Sequence, residues 1–368
     1  MIFVVPDIAN TPTGGNIYNR RVLDHWPTGT PTVVTWPVDI SPSDPTLGVH
    51  PGATVVVDSL CLKHIDAIRV LRKSRPEAHI AVLAHYLACV DPRKQDGETA
   101  QAERDLLPLF DGAITTSVFV KDQLVREGMP ESNVTVAAPG LDTRFRQPGT
   151  EAGGSQKPAS AEAAPQLLTV ANVLPGKGLD VMLRALEQLT DDAWAWRLIG
   201  GTDLDPTYGA HFREQLHDAS FCDRVIWNGT VDASDMPAAY DAADVFVLPT
   251  HFETCSMATR EAMARGCAVV ASDVGGLPDN FGRRNAGALI PPNDANALAE
   301  ALATLLADPA RRVSLARDAL AQSQSFPSWE TTAARCAAGL RRLCISSAAR
   351  PGRPSRSSDG EIGMGRRP

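Results

Sequence analysis

Short apolar runs alternate with longer amphipathic runs along nearly the whole chain. In the first half, Ile2 to Val5, Thr32 to Trp36, Ala53 to Val57, His79 to Ala84, Gly112 to Thr115 and Val134 to Ala137 read as strands. Between them, Ile17 to Trp26, Leu62 to Lys73, Thr99 to Leu107 and Val118 to Glu127 carry helical spacing. This alternation predicts strand-helix units on a parallel, doubly wound sheet. A second series follows: Leu167 to Ala171, Arg197 to Gly200, Arg224 to Trp227, Asp244 to Pro249, Cys267 to Ala271 and Gly287 to Ile290. Between the two, residues 147–166 are rich in Gly, Pro and Ser and too poor in large apolar residues to bury a core, which predicts a flexible linker or exposed insertion. The expected units are therefore a first domain over 1–146, a second over 167–327, a final helix within 328–345 and a disordered tail over 346–368.

Composition narrows the class. A length of 368 residues suits two domains of average size. Hydrophobic residues at 43% and charged residues at 21% describe an ordinary soluble protein. A net charge of -8 argues against nucleic acid as a partner, because binding to a phosphate backbone draws on clustered Lys and Arg. The seven cysteines form no C-x-x-C pair and are odd in number, which fits neither a zinc ribbon nor a complete disulfide framework and predicts a reducing, cytoplasmic setting. No run approaches membrane-spanning length. The tail has five arginines against Asp359 and Glu361, so its composition predicts an inert solvated segment, with peripheral contact to an anionic membrane surface as the alternative.

The chemistry concentrates in the second half. Glu253 and Glu261 stand eight residues apart between two strand-like runs. The first falls on the turn after a strand and the second on the following helix, so both can face the crevice at the carboxyl edge of a parallel sheet, where α/β proteins bind ligands. Two carboxylates aimed at one crevice suit a ligand rich in hydroxyls, although an isolated pair also reads as ordinary surface charge. The stretch Leu168 to Asp180 is a strand, a turn and a helix start, and places Lys177 where a cation meets phosphate. It is not a Walker loop, because Ala171 and Gly178 occupy positions that pattern reserves for Gly and for Ser or Thr. A solvated helix-start lysine is the other reading of Lys177. In the first half, Gly14-Gly15 follows the first strand and precedes a helix expected near Ile17, allowing close approach of backbone to an oxyanion. His85 closes a central strand, where a structural histidine and a ligand contact are both open readings. No His and carboxylate cluster has the spacing of a metal site.

Phe252 to Gly266, followed by Val269-Val270 and Ala271 to Asp279, closely resembles the nucleotide-sugar site of retaining glycosyltransferase family 4, whose fold sets two Rossmann-like domains across a cleft (GT-B). The resemblance implies transfer of a sugar from a nucleoside-diphosphate donor to a hydroxyl acceptor, with no separate cofactor. It implies that Glu253 contacts the donor sugar, that Glu261 holds the ribose hydroxyls, and that backbone amides of Thr254, Cys255, Ser256 and Met257 meet sugar and phosphate. Lys177 and Asn172 correspond to the family's phosphate-binding pair, Gly15 to its Gly-Gly loop beside the diphosphate, and His85 to a histidine that contacts the donor sugar without acting as general base. Pro139 to Asp142 and Thr115 to Ser117 resemble backbone-shaping turns, and the last helix of the family often crosses back to the first domain. Two departures stand out. Asn172 replaces an arginine, leaving Lys177 as the main cation, and Thr254-Cys255-Ser256-Met257-Ala258 replaces the common Gly-Phe-Gly-Leu-Pro. A nucleotide-sugar epimerase on the same fold, a nicotinamide-dependent oxidoreductase and a binding protein that has lost turnover are the alternatives; the oxidoreductase lacks any G-x-G-x-x-G after the first strand of either half.

Overall fold

The structure, a computed structural model, describes residues 1–6, 13–37, 44–50, 52–146, 164–282 and 286–348. The first half forms β1 (Ile2–Pro6), β2 (Thr32–Trp36), β3 (Thr54–Asp58), β4 (His79–Ala84), β5 (Gly112–Thr115) and β6 (Val134–Val136). All pair in parallel in the order β2-β1-β3-β4-β5-β6. The second half forms β7 (Gln166–Val170), β8 (Ala195–Ile199), β9 (Val225–Trp227), β10 (Val245–Leu248), β11 (Ala268–Ser272) and β12 (Ala288–Ile290). These also pair in parallel, in the order β12-β11-β10-β7-β8-β9, the doubly wound Rossmann arrangement. The molecule is thus two Rossmann-like α/β domains.

Near-continuous Val, Ile and Ala runs form the central strands because both faces of each sheet are covered. Along β1 the side chains alternate: Val4 packs on one face with Val55, Val57, Ile80 and Val82, while Phe3 and Val5 pack on the other with Val56, Ala81 and Leu83. In the second sheet Val245, Val247 and Val270 face one core, and Phe246, Leu248 and Val269 the other.

The helix expected near Ile17 begins instead at Gly14, because the Thr13 side chain accepts from Asn16 N and caps it there. The glycine pair is therefore the helix's first turn rather than a loop. The single helix expected over Leu62 to Lys73 is divided. A 3-10 turn, Ser59–Lys63, is capped by Asp58, and the α-helix Ile65–Ser74 follows a break at His64, whose ring lies 2.7 Å from Pro37 O. The final helix runs from Trp329 to Ala348, past the expected bound at residue 345, and packs on β4, β5, β6 and the helix Gly14–Asp24 of the first domain. Gln166, assigned above to the linker, begins β7; residues 147–163 of that linker and 349–368 of the tail lie outside the described residues.

Two chain crossings join the domains side by side: Leu141 N donates to Pro327 O at 2.8 Å. A side chain on Gly140 would strike Trp329 N at 2.5 Å, so only glycine fits where the crossings touch. The carboxyl edges of both sheets line one shared cavity of about 890 Å³.

Candidate functional site

In the second sheet the strand order reverses between β7 and β10. The loops that leave their carboxyl ends must diverge, which opens a crevice at that point. The β7 loop carries Asn172 and the turn Pro175–Lys177, and the β10 loop carries Glu253. The loops are fastened together: Thr250 Oγ1 donates to Gly176 O at 2.8 Å and His251 N to the same oxygen at 3.0 Å. Gly178 adopts φ +66° where a Cβ would lie 1.8 Å from Pro249 O, so a side chain there would push the loops apart. Between them, Lys177 Nζ forms an ion pair with Glu253 Oε2 at 2.7 Å, both groups half-buried. Asn172 lines the same cavity two residues beyond β7.

Thr254, Cys255 and Ser256 form the turn into the helix Met257–Ala264 and all three line the cavity. Ser256 stands at φ +62° and caps that helix through Thr259 N. The Cys255 thiol is buried, and desolvation raises its pKa, which keeps it protonated. Glu261, half-buried on the helix's second turn, accepts from Tyr240 OH at 2.8 Å. Burial pushes its carboxyl up to about 7, against the opposing effects of the Tyr240 hydrogen bond and the Arg144 charge.

The first domain supplies the facing wall. Met257 reaches across to it: a Cβ on Gly14 would sit 3.7 Å from Met257 Cε. Gly15 lies against the His85 ring, 3.3 Å from a Cβ placed there. His85 is buried, its Nε2 2.8 Å from Asn19 Oδ1. The Asn19 amide nitrogen in turn donates to Asp58 Oδ2. This orientation makes His85 Nε2 the donor and Nδ1 the acceptor, and burial, opposed by Asp58, lowers the imidazole pKa and favours the neutral ring.

The structure thus brings Gly15, His85, Asn172, Lys177, Glu253, Thr254, Cys255, Ser256, Met257 and Glu261 to one cavity. Several contacts around it escaped the sequence reading. Tyr240 and Asn19 hold Glu261 and His85, and Arg260 Nη1 donates to Pro139 O across the domains at 2.6 Å while its Nε donates to Asn280. Phe252 and Asp279 also reach the first domain. Asn19 falls one helical turn after Gly15 and so shares its face, a usable signal. Phe252, Arg260 and Asp279 lie in the stretch that carries the resemblance, but nothing local in sequence marks their contacts with Phe119, Pro139 and Val118 far away along the chain. Among the described residues, no group of three or more His, Cys, Asp or Glu side chains could hold a metal ion. None of the helices among them is long and apolar enough to cross a membrane.

Residues 164–308 match the family described as Glycosyl transferases group 1. A D-inositol 3-phosphate glycosyltransferase of Xylanimonas cellulosilytica is 31% identical over 241 residues, 63% of this chain and 57% of that protein. A GDP-mannose-dependent alpha-(1-6)-phosphatidylinositol monomannoside mannosyltransferase of Mycobacterium tuberculosis is 24% identical over 84% of this chain and 83% of its own length. The chain therefore spans little more than half of the first relative and most of the second. Among solved structures, sucrose-phosphate synthase of Thermosynechococcus elongatus superposes with a TM-score of 0.76 at 24% identity, covering 94% of this chain and 99% of that one. The two doubly wound domains facing a cleft have the GT-B fold, and the second-domain crevice residues lie inside the span, residues 164–308, that is similar to the group 1 glycosyl transferases.

Proposed function

We propose that the chain moves a sugar from a nucleoside-diphosphate donor to a hydroxyl acceptor, with retention of anomeric configuration and without a metal. The observation that carries the reading is the Lys177–Glu253 pair at the switch point of the second sheet, with Glu261 one helix further along the same wall. An arriving diphosphate would compete with Glu253 for the Lys177 ammonium, and Glu253, released, would accept hydrogen bonds from donor-sugar hydroxyls. Backbone amides at the start of the helices Leu179–Leu186 and Gly14–Asp24 add positive potential from the two sides of the cleft. As the bond from the anomeric carbon to the diphosphate oxygen lengthens, this potential stabilises the leaving group. The acceptor oxygen then bonds to the anomeric carbon from the same face, and its proton passes to the departing phosphate oxygen. His85, neutral with Nδ1 as acceptor, orients a sugar hydroxyl and takes no proton from the acceptor.

The two relatives, by their names, act on a phosphorylated inositol and on a phosphatidylinositol mannoside; a phosphorylated polyol is therefore the first acceptor class to try. A cytoplasmic setting is supported by five cysteines buried as thiols within the structure. The deciding experiment pairs calorimetry with UDP and GDP against proton NMR of the transfer product, in excess chelator. A product anomer equal to the donor's, formed at an undiminished rate, is expected. An inverted anomer, or turnover that chelator abolishes and added divalent metal restores, would overturn the mechanism.

A further inference from the structure

Phe252 immediately precedes Glu253, yet its ring belongs to the other domain's core. It is 8% exposed and packs with the first-domain cluster. Its ring meets those of Tyr86 and Phe119 edge-on at 6.1 and 5.8 Å, and the Arg93 guanidinium stands 5.9 Å from its centroid. Arg93 is itself held by Asp91, which also accepts from Tyr86 OH, so the socket is a connected unit of the first domain.

Beside it, Asp279 Oδ2 accepts from Val118 N at 3.1 Å and Phe119 N at 3.4 Å, capping a first-domain helix from the second domain. The turn before Asp279 supports the glutamate loop from behind: Gly276 N donates to Glu253 O at 2.9 Å, and a Cβ on Gly276 would lie 2.0 Å from Thr254 O and 2.8 Å from Ser117 Oγ. The loop carrying Glu253 is therefore packed between its own domain and the start of the helix Val118–Arg126. This contact is separate from the two chain crossings near Gly140 and Trp329, which hold the domains together covalently whatever the cleft does.

We infer that Phe252 is a positioning residue that couples domain closure to the placement of Glu253: seating its ring in the Tyr86, Phe119 and Arg93 socket sets the glutamate beside Lys177. The inference rests on the transferase reading above. Donor nucleotide would bind the second domain in either state, whereas transfer requires the seated ring. A closed state populated to a few per cent instead of nearly fully lowers the rate by the same fraction, so kcat should fall by about 30-fold or more.

The test measures kcat, acceptor KM and nucleoside-diphosphate affinity for Phe252→Ala, Phe252→Tyr and Phe119→Ala, with X-ray scattering of each protein in saturating UDP or GDP. Phe119 is half-buried, lies in the first domain and lines no part of the cavity, so Phe119→Ala separates closure from local damage to the Glu253 loop. Both alanine variants should lose kcat while nucleotide affinity stays within about 3-fold, and scattering should show a larger radius; Phe252→Tyr should restore most of the rate. An unchanged kcat in Phe119→Ala, or a loss of nucleotide affinity that matches the loss of rate, would overturn the inference. Failure of the wild-type protein to transfer from any nucleotide sugar would instead strike the transferase reading.

Discussion

Lys177 and Glu253 neutralise each other across the switch point, and this pairing separates their effects on stability and on catalysis. The ammonium is partly solvated, so the ion pair contributes little to folding, about 0–1 kcal/mol. Lys177→Ala should therefore leave the melting temperature nearly unchanged and lower kcat/KM by about 100-fold, the scale of one donor lost from a leaving-group site. A variant with wild-type kcat/KM would remove Lys177 from the phosphate site. Glu261 behaves differently, because its carboxyl is held up to about 7 by burial. The folded state keeps this proton between the ordinary carboxylate range and about pH 7 while the unfolded chain releases it. Stability from this group is thus full at low pH and is lost as pH rises towards 7. Ribose hydroxyls donating to the carboxylate would favour the ionised form. Nucleotide affinity should then rise from pH 5.5 to about 7.5 and level off, with proton release on binding below about pH 7, read by calorimetry in buffers of different ionisation enthalpy. Glu261→Gln should abolish that pH dependence, raise apo-protein stability at pH 8 by about 1–3 kcal/mol, and weaken nucleotide binding by a similar amount. An affinity independent of pH in the wild type would dissociate Glu261 from the nucleotide.

At the scale of elements, the turn Thr254–Ser256 carries an unusual conformation with a specific consequence. Ser256 holds φ +62° and ψ +98°, a region that glycine enters readily, while its hydroxyl caps the helix Met257–Ala264. Removing the hydroxyl and keeping the Cβ loses the cap without relieving strain, whereas glycine relieves strain and tolerates the lost cap. Ser256→Gly should thus be more stable than Ser256→Ala by about 1 kcal/mol in chemical denaturation, the reverse of the usual order inside a helix. An alanine variant as stable as the glycine one would show that the turn is unstrained. This turn also marks how far the sequence could be read. All twelve strands were legible because each is a short apolar run; inner strands such as β3 and β10 are buried on both faces, whereas the edge strands β2 and β9 are exposed or half-buried over most of their length and were read from their β-branched and aromatic residues. Glu253, Glu261 and Lys177 were legible because parallel-sheet topology puts the end of every strand on one edge. The break at His64 was not, since it depends on a hydrogen bond to Pro37. The Asp279 cap was not, since its partner Val118 is 161 residues away. Contacts of this kind follow from how the two domains face each other, which no local pattern encodes.

The whole molecule closes through its last helix. Trp329–Ala348 leaves the second domain and buries Trp329, Ala333, Cys336, Leu340 and Leu343 against Phe3, Val5, Tyr18 and Val22, completing one face of the first sheet. The approach is close: a Cβ on Gly339 would lie 2.5 Å from Thr135 Oγ1, and one on Gly112 would lie 2.5 Å from Leu343 Cδ2. The first domain therefore cannot bury this face of its sheet from residues 1–146 alone, and the helix Trp329–Ala348 packs with it as one unit. The consequence is a separation of stability from ligand binding. Leu340→Ala should destabilise the first domain by about 2–5 kcal/mol, the usual cost of emptying a fully buried leucine site. Leu340 lines no part of the cavity, and Asn172, Lys177 and Glu261 lie in the other domain, so affinity for UDP or GDP measured well below the transition should change by less than about 2-fold. Denaturation followed by hydrogen exchange at β1 and β4 against β7 and β10 distinguishes the domains. Equal loss of protection in both sheets would mean that the final helix stabilises the molecule as a whole; loss confined to the first sheet would show that the helix, though last in sequence, is structurally part of the first domain.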